Sequence, residues 1–372
     1  MENIPLFKVF MSPEAVSAAG NVLGCGYVTQ GPQVKQFERN LGERLQNNKV
    51  LTLNSATSGL QLALHLLNLE RDDEVLTSPL TCTATNWPIL ACGLKIKWVD
   101  INSNNLNLDL DDLERKLSPK TKAIMAVHWG GYPNDLNQLA TIQDKCEKRY
   151  GHRPPIIEDC AHAFGSTFKN KPLGNHNNIC VYSLQAIKHI TSVDGGVIVL
   201  PNKTLYDKAK LLRWYGIDRE NNKKDFRCEG NIPVWGFKFH MNDVNAAIGN
   251  ENLKYAEQII SKHQANAGYY DKELESADGV TTLERAHNRT SAFWIYSMLV
   301  ENKSGFMNYM KEKNIIVSQV HERNDVHSCV KEYKTHLPML DKTIPKLVSI
   351  PVGWWVTEEQ REYIVDCIKQ GW

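Results

Sequence analysis

Between residues 50 and 200 the chain alternates short apolar runs with helical segments, and this alternation limits the possible fold more than any other feature. Short buried strands that alternate with helices are typical of a mostly parallel sheet with helices on both faces. The apolar runs are 50–53, 74–77, 96–100, 123–128, 155–159, 179–183 and 196–200. We therefore predict an α/β fold for this part of the chain.

Four of these runs end in, or are followed by, a polar side chain. The residues are Asn54, His128, Asp159 and Ser183. In sheets of this kind, ligands bind beyond the carboxyl ends of the strands. We therefore expect the four side chains to lie at one binding edge.

The pattern changes after about residue 250. Longer helices at 251–274, 304–313 and 357–368 alternate with apolar runs at 292–300 and 315–317. This predicts a second, smaller α+β domain behind the large one.

Composition excludes several classes of function. The net charge of the 372-residue chain is +1 with interspersed charges, so we expect neither nucleic acid nor an anionic membrane as a partner. No apolar run reaches the roughly 18–20 residues of a membrane span, and the N-terminus lacks a signal pattern, which predicts a cytoplasmic protein. The nine cysteines form no Cys-x-x-Cys pair, so we expect neither a metal site nor a disulfide framework.

One lysine stands out among mostly uncharged neighbours. Lys188 lies in Ser-Leu-Gln-Ala-Ile-Lys-His, ahead of a Gly-Gly turn. A lysine held among apolar neighbours can lose its proton and form a Schiff base, and a carboxylate such as Asp159 can keep a cofactor ring nitrogen protonated. The pair is typical of enzymes that use pyridoxal phosphate (PLP). The alternatives are a surface helix lysine and an aspartate that only caps a helix.

Several motifs occur in order over nearly the whole chain. They are Gly-Pro-Gln-Val-Lys-Gln-Phe-Glu (31–38), Asn-Ser-Ala-Thr-Ser-Gly (54–59), Glu158-Asp159, the Lys188 segment, and Trp-Gly-Phe-Lys-Phe-His-Met-Asn-Asp (235–243). With them the chain resembles the DegT/DnrJ/StrS nucleotide-sugar aminotransferases, a branch of the fold-type I PLP enzymes. The resemblance implies a large PLP-binding domain at 26–250 with a mostly parallel seven-stranded sheet between helices. It also implies a small α+β domain at 251–372, against which an N-terminal segment (1–25) packs.

The resemblance implies a role for each cofactor-site residue. Lys188 would form the Schiff base with PLP and later move a proton, Asp159 would pair with the ring nitrogen, and His162 would lie near the ring hydroxyl. The start of a helix binds anions, so the backbone of Ala56 and Thr57 would hold the phosphate together with Ser183. Each Ser or Thr here could instead be an ordinary helix cap, and Glu158 is predicted to be structural.

Cys82 and Lys238 are two further positions that bear on the cofactor site. Many relatives place an aromatic residue over the cofactor ring where this chain has Cys82, so Cys82 covers the ring or another aromatic compensates; Trp87 is predicted to be a core residue. Lys238 matches a residue that relatives send from the partner subunit to the phosphate. This implies a homodimer with shared active sites, the alternative being a solvated lysine.

The substrate side is less constrained by the sequence. The residues that resemble the family's substrate region are Trp129, Arg213, His321, Arg323 and His327. Arg323 could bind a diphosphate because its planar fork matches phosphate oxygens. A solvated loop is the alternative for this segment.

The implied reaction moves an amino group from L-glutamate, or glutamine, to a keto sugar on a nucleoside diphosphate. The acceptor carbon would be C4 of a 4-keto-6-deoxyhexose, with C3 as the alternative, in amino-sugar synthesis for a surface polysaccharide such as lipopolysaccharide O-antigen. A PLP-dependent sugar dehydratase is disfavoured because its relatives replace the lysine by histidine, although His189 is adjacent. A non-enzymatic PLP-binding regulator lacks support, and Gly24-Cys-Gly lacks the third glycine of a dinucleotide site.

Overall fold

A computed structural model describes residues 2–219 and 228–372. The strands are β1 (Val50–Leu53), β2 (Glu74–Thr77), β3 (Lys95–Trp98), β4 (Thr121–Val127), β5 (Ile156–Asp159), β6 (Thr167–Phe168), β7 (Lys171–Pro172), β8 (Ile179–Ser183), β9 (Gly196–Val199), β10 (Val280–Thr282), β11 (Arg289–Thr290), β12 (Tyr296–Val300) and β13 (Leu347–Ile350). The helices are α1 (Ala15–Cys25), α2 (Pro32–Leu45), α3 (Ala56–Leu66), α4 (Thr83–Ala91), α5 (Leu110–Arg115), α6 (Leu136–Tyr150), α7 (Lys203–Leu212), α8 (Asp243–Leu253), α9 (Ala256–Leu274), α10 (Lys303–Glu312), α11 (Pro338–Thr343) and α12 (Glu358–Lys369).

A seven-stranded sheet forms the centre of the large domain, with the order β1-β9-β8-β5-β4-β2-β3. Strand β9 is antiparallel to both of its neighbours, whereas the other neighbouring pairs are parallel. The mostly parallel seven-stranded sheet implied by the sequence is therefore confirmed. Because β9 alone is reversed, its first residue lies at the edge where the other strands end.

Helices cover both faces of this sheet. Successive side chains of a strand point to opposite sides, so each strand contributes to a core on either face. In β8, Tyr182 packs into a core with Phe37 of α2, whereas Val181 packs into a second core with Leu60 of α3. Strands buried on both faces must be apolar along their whole length, which explains the continuous apolar runs.

The C-terminal part contains a three-stranded antiparallel sheet with the order β10-β12-β13. A third core, with Tyr270, Phe306 and Ile364, lies between this sheet and helices α9, α10 and α12. Ile4 joins this core and bridges to Ile315, so the start of the chain contacts the small unit. No helix in the described ranges is long and apolar enough to cross a bilayer.

The boundary between the two units lies in helical structure. The position predicted for it, between residues 250 and 251, falls inside α8. Helix α9 then contributes Ile260 to a core of the large unit and Tyr270 to the core of the small one. One helix thus links the two cores.

Candidate active site

The strand ends converge on one edge of the central sheet. Gly196, the first residue of β9, pairs with Leu53 on one side and Ser183 on the other. In β5, Asp159 pairs with Val127 of β4 and with Val181 of β8. The polar strand ends therefore share an edge, as the sequence predicts.

Lys188 lies in the loop between β8 and β9. Bonds from the amides of Leu184 to the carbonyl of Gly195, and of Ser192 to the carbonyl of Leu184, close this loop. Burial lowers the pKa of Lys188 to about 7, although the electrostatic interactions with Asp159 and Cys82 act to raise it. At neutral pH a large fraction of the amine is therefore unprotonated, as a nucleophile requires.

Asp159 and Glu158 have separate environments although they are neighbours. Asp159 is buried and accepts hydrogen bonds from the Thr85 hydroxyl (2.6 Å) and the Ala161 amide (3.0 Å). Glu158 points to the other face, where it bonds His128 Nε2 (2.8 Å) and Asn178 (2.7 Å). Asp159 is close enough to Lys188 for the two charges to interact, whereas Glu158 is held by the buried bonds to His128 and Asn178.

His128 completes the buried pair with Glu158. Its Nδ1 accepts the amide hydrogen of Asn134 at 3.0 Å, so the ring proton lies on Nε2 and points to the Glu158 carboxylate. Cys160 is also close enough to form a buried His-Glu-Cys group. Both ring nitrogens of His128 are therefore hydrogen-bonded within the chain. The bond to Glu158 joins the end of β4 to β5.

Two histidines, His162 and His321, lie near Lys188. His162 stacks on Trp294 with ring centres 3.9 Å apart, and it lies parallel to His321 at 5.6 Å. Burial, then the charge of Lys188, lowers the pKa of His162 well below its usual range and that of His321 to about 4. His162 Nδ1 and His321 Nε2 have no hydrogen-bond partner among the described residues. Buried polar atoms of this kind are expected to bind a ligand or water.

The start of α3 lies close to Ser183. Ser55 caps the helix by accepting a hydrogen bond from the Ser58 amide, so the first amides, of Ala56 and Thr57, precede the helical ladder. A Cβ on Gly196 would lie 2.4 Å from the Ser55 carbonyl and 2.5 Å from the Ala56 nitrogen. This contact needs glycine, and it presses the helix start against the strand that pairs with Ser183. The groups present fit a cofactor phosphate.

The model of the DegT/DnrJ/EryC1/StrS aminotransferase family matches residues 11–369. The chain belongs to this family. It is similar over its full length to AtS13 from Actinomadura melliaura, with 47% identity, full coverage of both chains and a TM-score of 0.98. It is also similar to the sugar aminotransferase CalS13 from Micromonospora echinospora (46% identity, 99% and 100% coverage, TM-score 0.96). The Helicobacter pylori aminotransferase PseC, involved in pseudoaminic acid biosynthesis, is 26% identical over 99% of both chains, with a TM-score of 0.89.

These findings confirm the predicted class of enzyme. The protein is a sugar aminotransferase of a family that uses PLP, and its fold is that of PLP-dependent sugar aminotransferases. The residues at the sheet edge fit this cofactor: an amine, a buried carboxylate, an unpartnered imidazole nitrogen and a helix start. The adjacent His189 bonds the Ala292 carbonyl and packs on His263, whereas Lys188 lies beside Trp294 and His162.

Trp294 is an aromatic residue of the site that sequence reasoning missed. Its ring centre lies 3.5 Å from Lys188 Nζ, and its indole N–H bonds the Ile187 carbonyl at 2.9 Å. Cys82 lies at the start of α4, close enough to influence Lys188. Trp87, in α4, packs against the core and against His327. The available signal for Trp294 was an aromatic run (292–296), which also fits an ordinary core strand.

Some of the predicted substrate residues join this pocket. The ring centre of Trp129 lies about 6 Å from those of His162 and His321. Its indole N–H donates to the Ser297 hydroxyl. His327 lies farther along the same segment, against Trp87. Trp129 and His321 are therefore near Lys188.

Both predicted arginines are engaged by carboxylates of this chain, and their role in substrate binding stays a prediction. Arg323 gives two hydrogen bonds of its fork to Asp325 and a third to Asp341, so the fork is not free for a diphosphate. Arg213 is buried, where it pairs with Glu38 and donates to the Thr52 carbonyl. Arg213 joins the end of α7 to α2 and β1, and Arg323 holds its own segment against Asp341. Glu38 is 175 residues from Arg213 in the chain, whereas Asp325 is only two residues from Arg323.

Lys238 is exposed near the end of β1. The Asn54 side chain donates to its carbonyl at 3.4 Å, which places this segment against the strand end that precedes α3. Val234 and Trp235, a few residues earlier in the chain, are exposed as well.

Proposed function

We propose that this aminotransferase moves an amino group from L-glutamate, or glutamine, to C4 of a 4-keto-6-deoxyhexose on a nucleoside diphosphate. The biological setting would be amino-sugar synthesis for a surface polysaccharide such as lipopolysaccharide O-antigen. The observation that carries the proposal is the Lys188 amine, 3.5 Å from the Trp294 ring centre and close enough to the Asp159 carboxylate for the two charges to interact. The similarity to CalS13, a sugar aminotransferase, and to PseC supports a sugar acceptor. A C3 keto sugar is the second candidate.

PLP, when bound, supplies the carbon that takes up the amine and the ring that accepts electrons. Asp159 would hold the proton on the ring nitrogen, which requires a carboxylate with a fixed direction. Lys188 Nζ would hold the cofactor and, once displaced by the donor, move the proton between the substrate carbon and the cofactor carbon. The amides of Ala56 and Thr57, with Ser183, would bind the phosphate.

The ring-lined side of the pocket fits a sugar. His162 Nδ1 would bond the ring hydroxyl of the cofactor and His321 Nε2 a polar group of the substrate, since neither nitrogen has a partner among the described residues. Both imidazoles are neutral at pH 7 because burial and Lys188 lower the pKa of each, so each can donate one hydrogen bond and accept another. Trp129 packs against both rings and excludes water from that side.

The deciding experiment is an absorption spectrum of the purified protein before and after excess glutamate. The proposal predicts a band near the visible edge that shifts to shorter wavelength with glutamate. Keto sugar nucleotides that differ in nucleotide and in keto position are then added one at a time, and the correct acceptor should restore the band. Absence of any band after PLP addition would contradict the proposal.

We also infer a homodimer in which Lys238 reaches the phosphate site of the partner subunit. The support is its exposure next to α3, together with exposed apolar side chains such as Leu23, Tyr27 and Trp235 that a partner would cover. Mixing Lys188→Ala and Lys238→Ala subunits tests this inference. A shared site should regain activity at about one site in four after subunit exchange. If each site is made by one chain, the mixture stays inactive.

A further inference from the structure

A buried chain of hydrogen bonds leads from Asp159 to the small domain. The Thr85 hydroxyl donates to Asp159 Oδ2 at 2.6 Å, and it lies 2.8 Å from the hydroxyl of Thr81. Because Thr85 uses its proton on the carboxylate, it must accept from Thr81, which fixes the direction of both bonds. All three side chains are at least 96% buried.

The far end of this chain is Asn324, in the segment that also carries His321. Asn324 donates from its side chain to the Thr81 carbonyl (2.8 Å) and from its amide to the Pro79 carbonyl (2.8 Å). Its side-chain oxygen accepts from Asn86 (2.8 Å), whose own oxygen accepts from Thr77 (2.8 Å). Asn324 and Asn86 are completely buried, so their amides depend on these bonds.

We propose that Thr85 is a positioning residue for Asp159 and that Asn324 anchors it through Thr81. The Thr85 hydroxyl holds one carboxylate oxygen and the Ala161 amide holds the other, which fixes the carboxylate plane toward the cofactor ring nitrogen. The segment that carries His321 and Asn324 is thereby linked through hydrogen bonds to the Asp159 carboxylate. The inference rests on the proposed cofactor role of Asp159.

The test compares Thr85→Val, which keeps the shape of the side chain but removes the hydroxyl, with Thr85→Ser, which keeps the hydroxyl. The readouts are the nitrogen resonance of bound PLP labelled with ¹⁵N in the ring, and the rate of the glutamate half-reaction. Thr85→Val should move the resonance toward that of unprotonated pyridine and slow the half-reaction about tenfold, because one bond to an ionised group is lost. Its KM should stay within about twofold, and Thr85→Ser should match the unmodified protein.

Thr81→Val extends the test to the second hydroxyl, since it removes the donor to Thr85 and leaves the Thr81 carbonyl for Asn324. It should shift the resonance in the same direction, and the double variant with Thr85→Val should add nothing further. Asn324→Ala should also fail to add to Thr85→Val. If Asn324→Ala does not fold, Asn324→Asp takes its place, because it keeps the shape of the side chain and removes the donor to the Thr81 carbonyl.

The outcomes separate this inference from the function on which it rests. If Asp159→Asn leaves the nitrogen resonance unchanged, the cofactor role of Asp159 is wrong. If Asp159→Asn moves it and Thr85→Val does not, the positioning role is wrong. Equal losses in Thr85→Val and Thr85→Ser would mean that packing, not the hydroxyl, matters, and would also overturn the inference.

Discussion

At the proposed cofactor end of the site, side chains lie on strand ends, at a helix start and, for Lys188, in a loop closed by backbone hydrogen bonds, whereas at the proposed substrate end they lie on loops held by ring contacts and ion pairs. Asp159 and Ser183 end paired strands, so the sheet register fixes where they lie. Arg323 and His321 belong to a segment whose shape depends on Asp325 and Asp341. Residues on strand ends and in short loops closed by backbone hydrogen bonds can therefore be assigned from local sequence, and residues whose position depends on ring contacts and ion pairs cannot.

The strongest test of the cofactor end is Lys188→Ala. Turnover should fall by at least about a thousandfold, because both the attachment of the cofactor and the proton transfer are lost. The visible-edge absorption band should disappear as well. Lys272→Ala, which changes a lysine whose side chain is 82% exposed, is the control and should leave both unchanged. Full transamination by Lys188→Ala would refute the assignment of the lysine.

The neighbouring carboxylates provide a second test with an internal control. Asp159→Asn should lower kcat by about a hundredfold, since the amide cannot stabilise a charged ring nitrogen as a carboxylate does. Glu158→Gln should instead lower the melting temperature, because it disturbs the buried pair with His128, and should leave kcat nearly unchanged. Steady-state kinetics and thermal unfolding of both variants check this contrast. The opposite result would exchange the two roles.

The same contrast explains what the sequence could predict. The strand and helix alternation predicts the α/β sheet, and the ordered motifs identify the Lys188 and Asp159 positions because each motif is local. Trp294 could not be assigned from its own sequence, because it stacks on His162, which is more than a hundred residues away in the chain. Only the fold brings the two rings together. Thr85 and Asn324 were missed for the same reason.

The state of Lys188 before cofactor binding gives a third, smaller effect. Because burial lowers its pKa to about 7, the reactive neutral amine is lost as the pH falls below this value and is fully present above it. The rate at which cofactor-free protein captures PLP should rise about tenfold from pH 6 to pH 8 and then level off. Pyridoxal, which lacks the phosphate, should show the same midpoint by stopped-flow absorbance. A midpoint near 10 would contradict the buried state of the amine.

The smallest expected effect on function concerns Arg323 at the substrate end. Since its fork is bound to Asp325 and Asp341, Arg323→Ala should change KM for the sugar nucleotide by less than about twofold. It should lower the free energy of unfolding by about 2–4 kcal/mol, because the buried Asp325 loses its partner. Asp341→Ala removes a half-exposed partner and should cost only about 0–1 kcal/mol. A tenfold rise in KM at unchanged stability would instead mean that the fork leaves its carboxylates to bind the diphosphate, and that the substrate end rearranges when the sugar nucleotide binds.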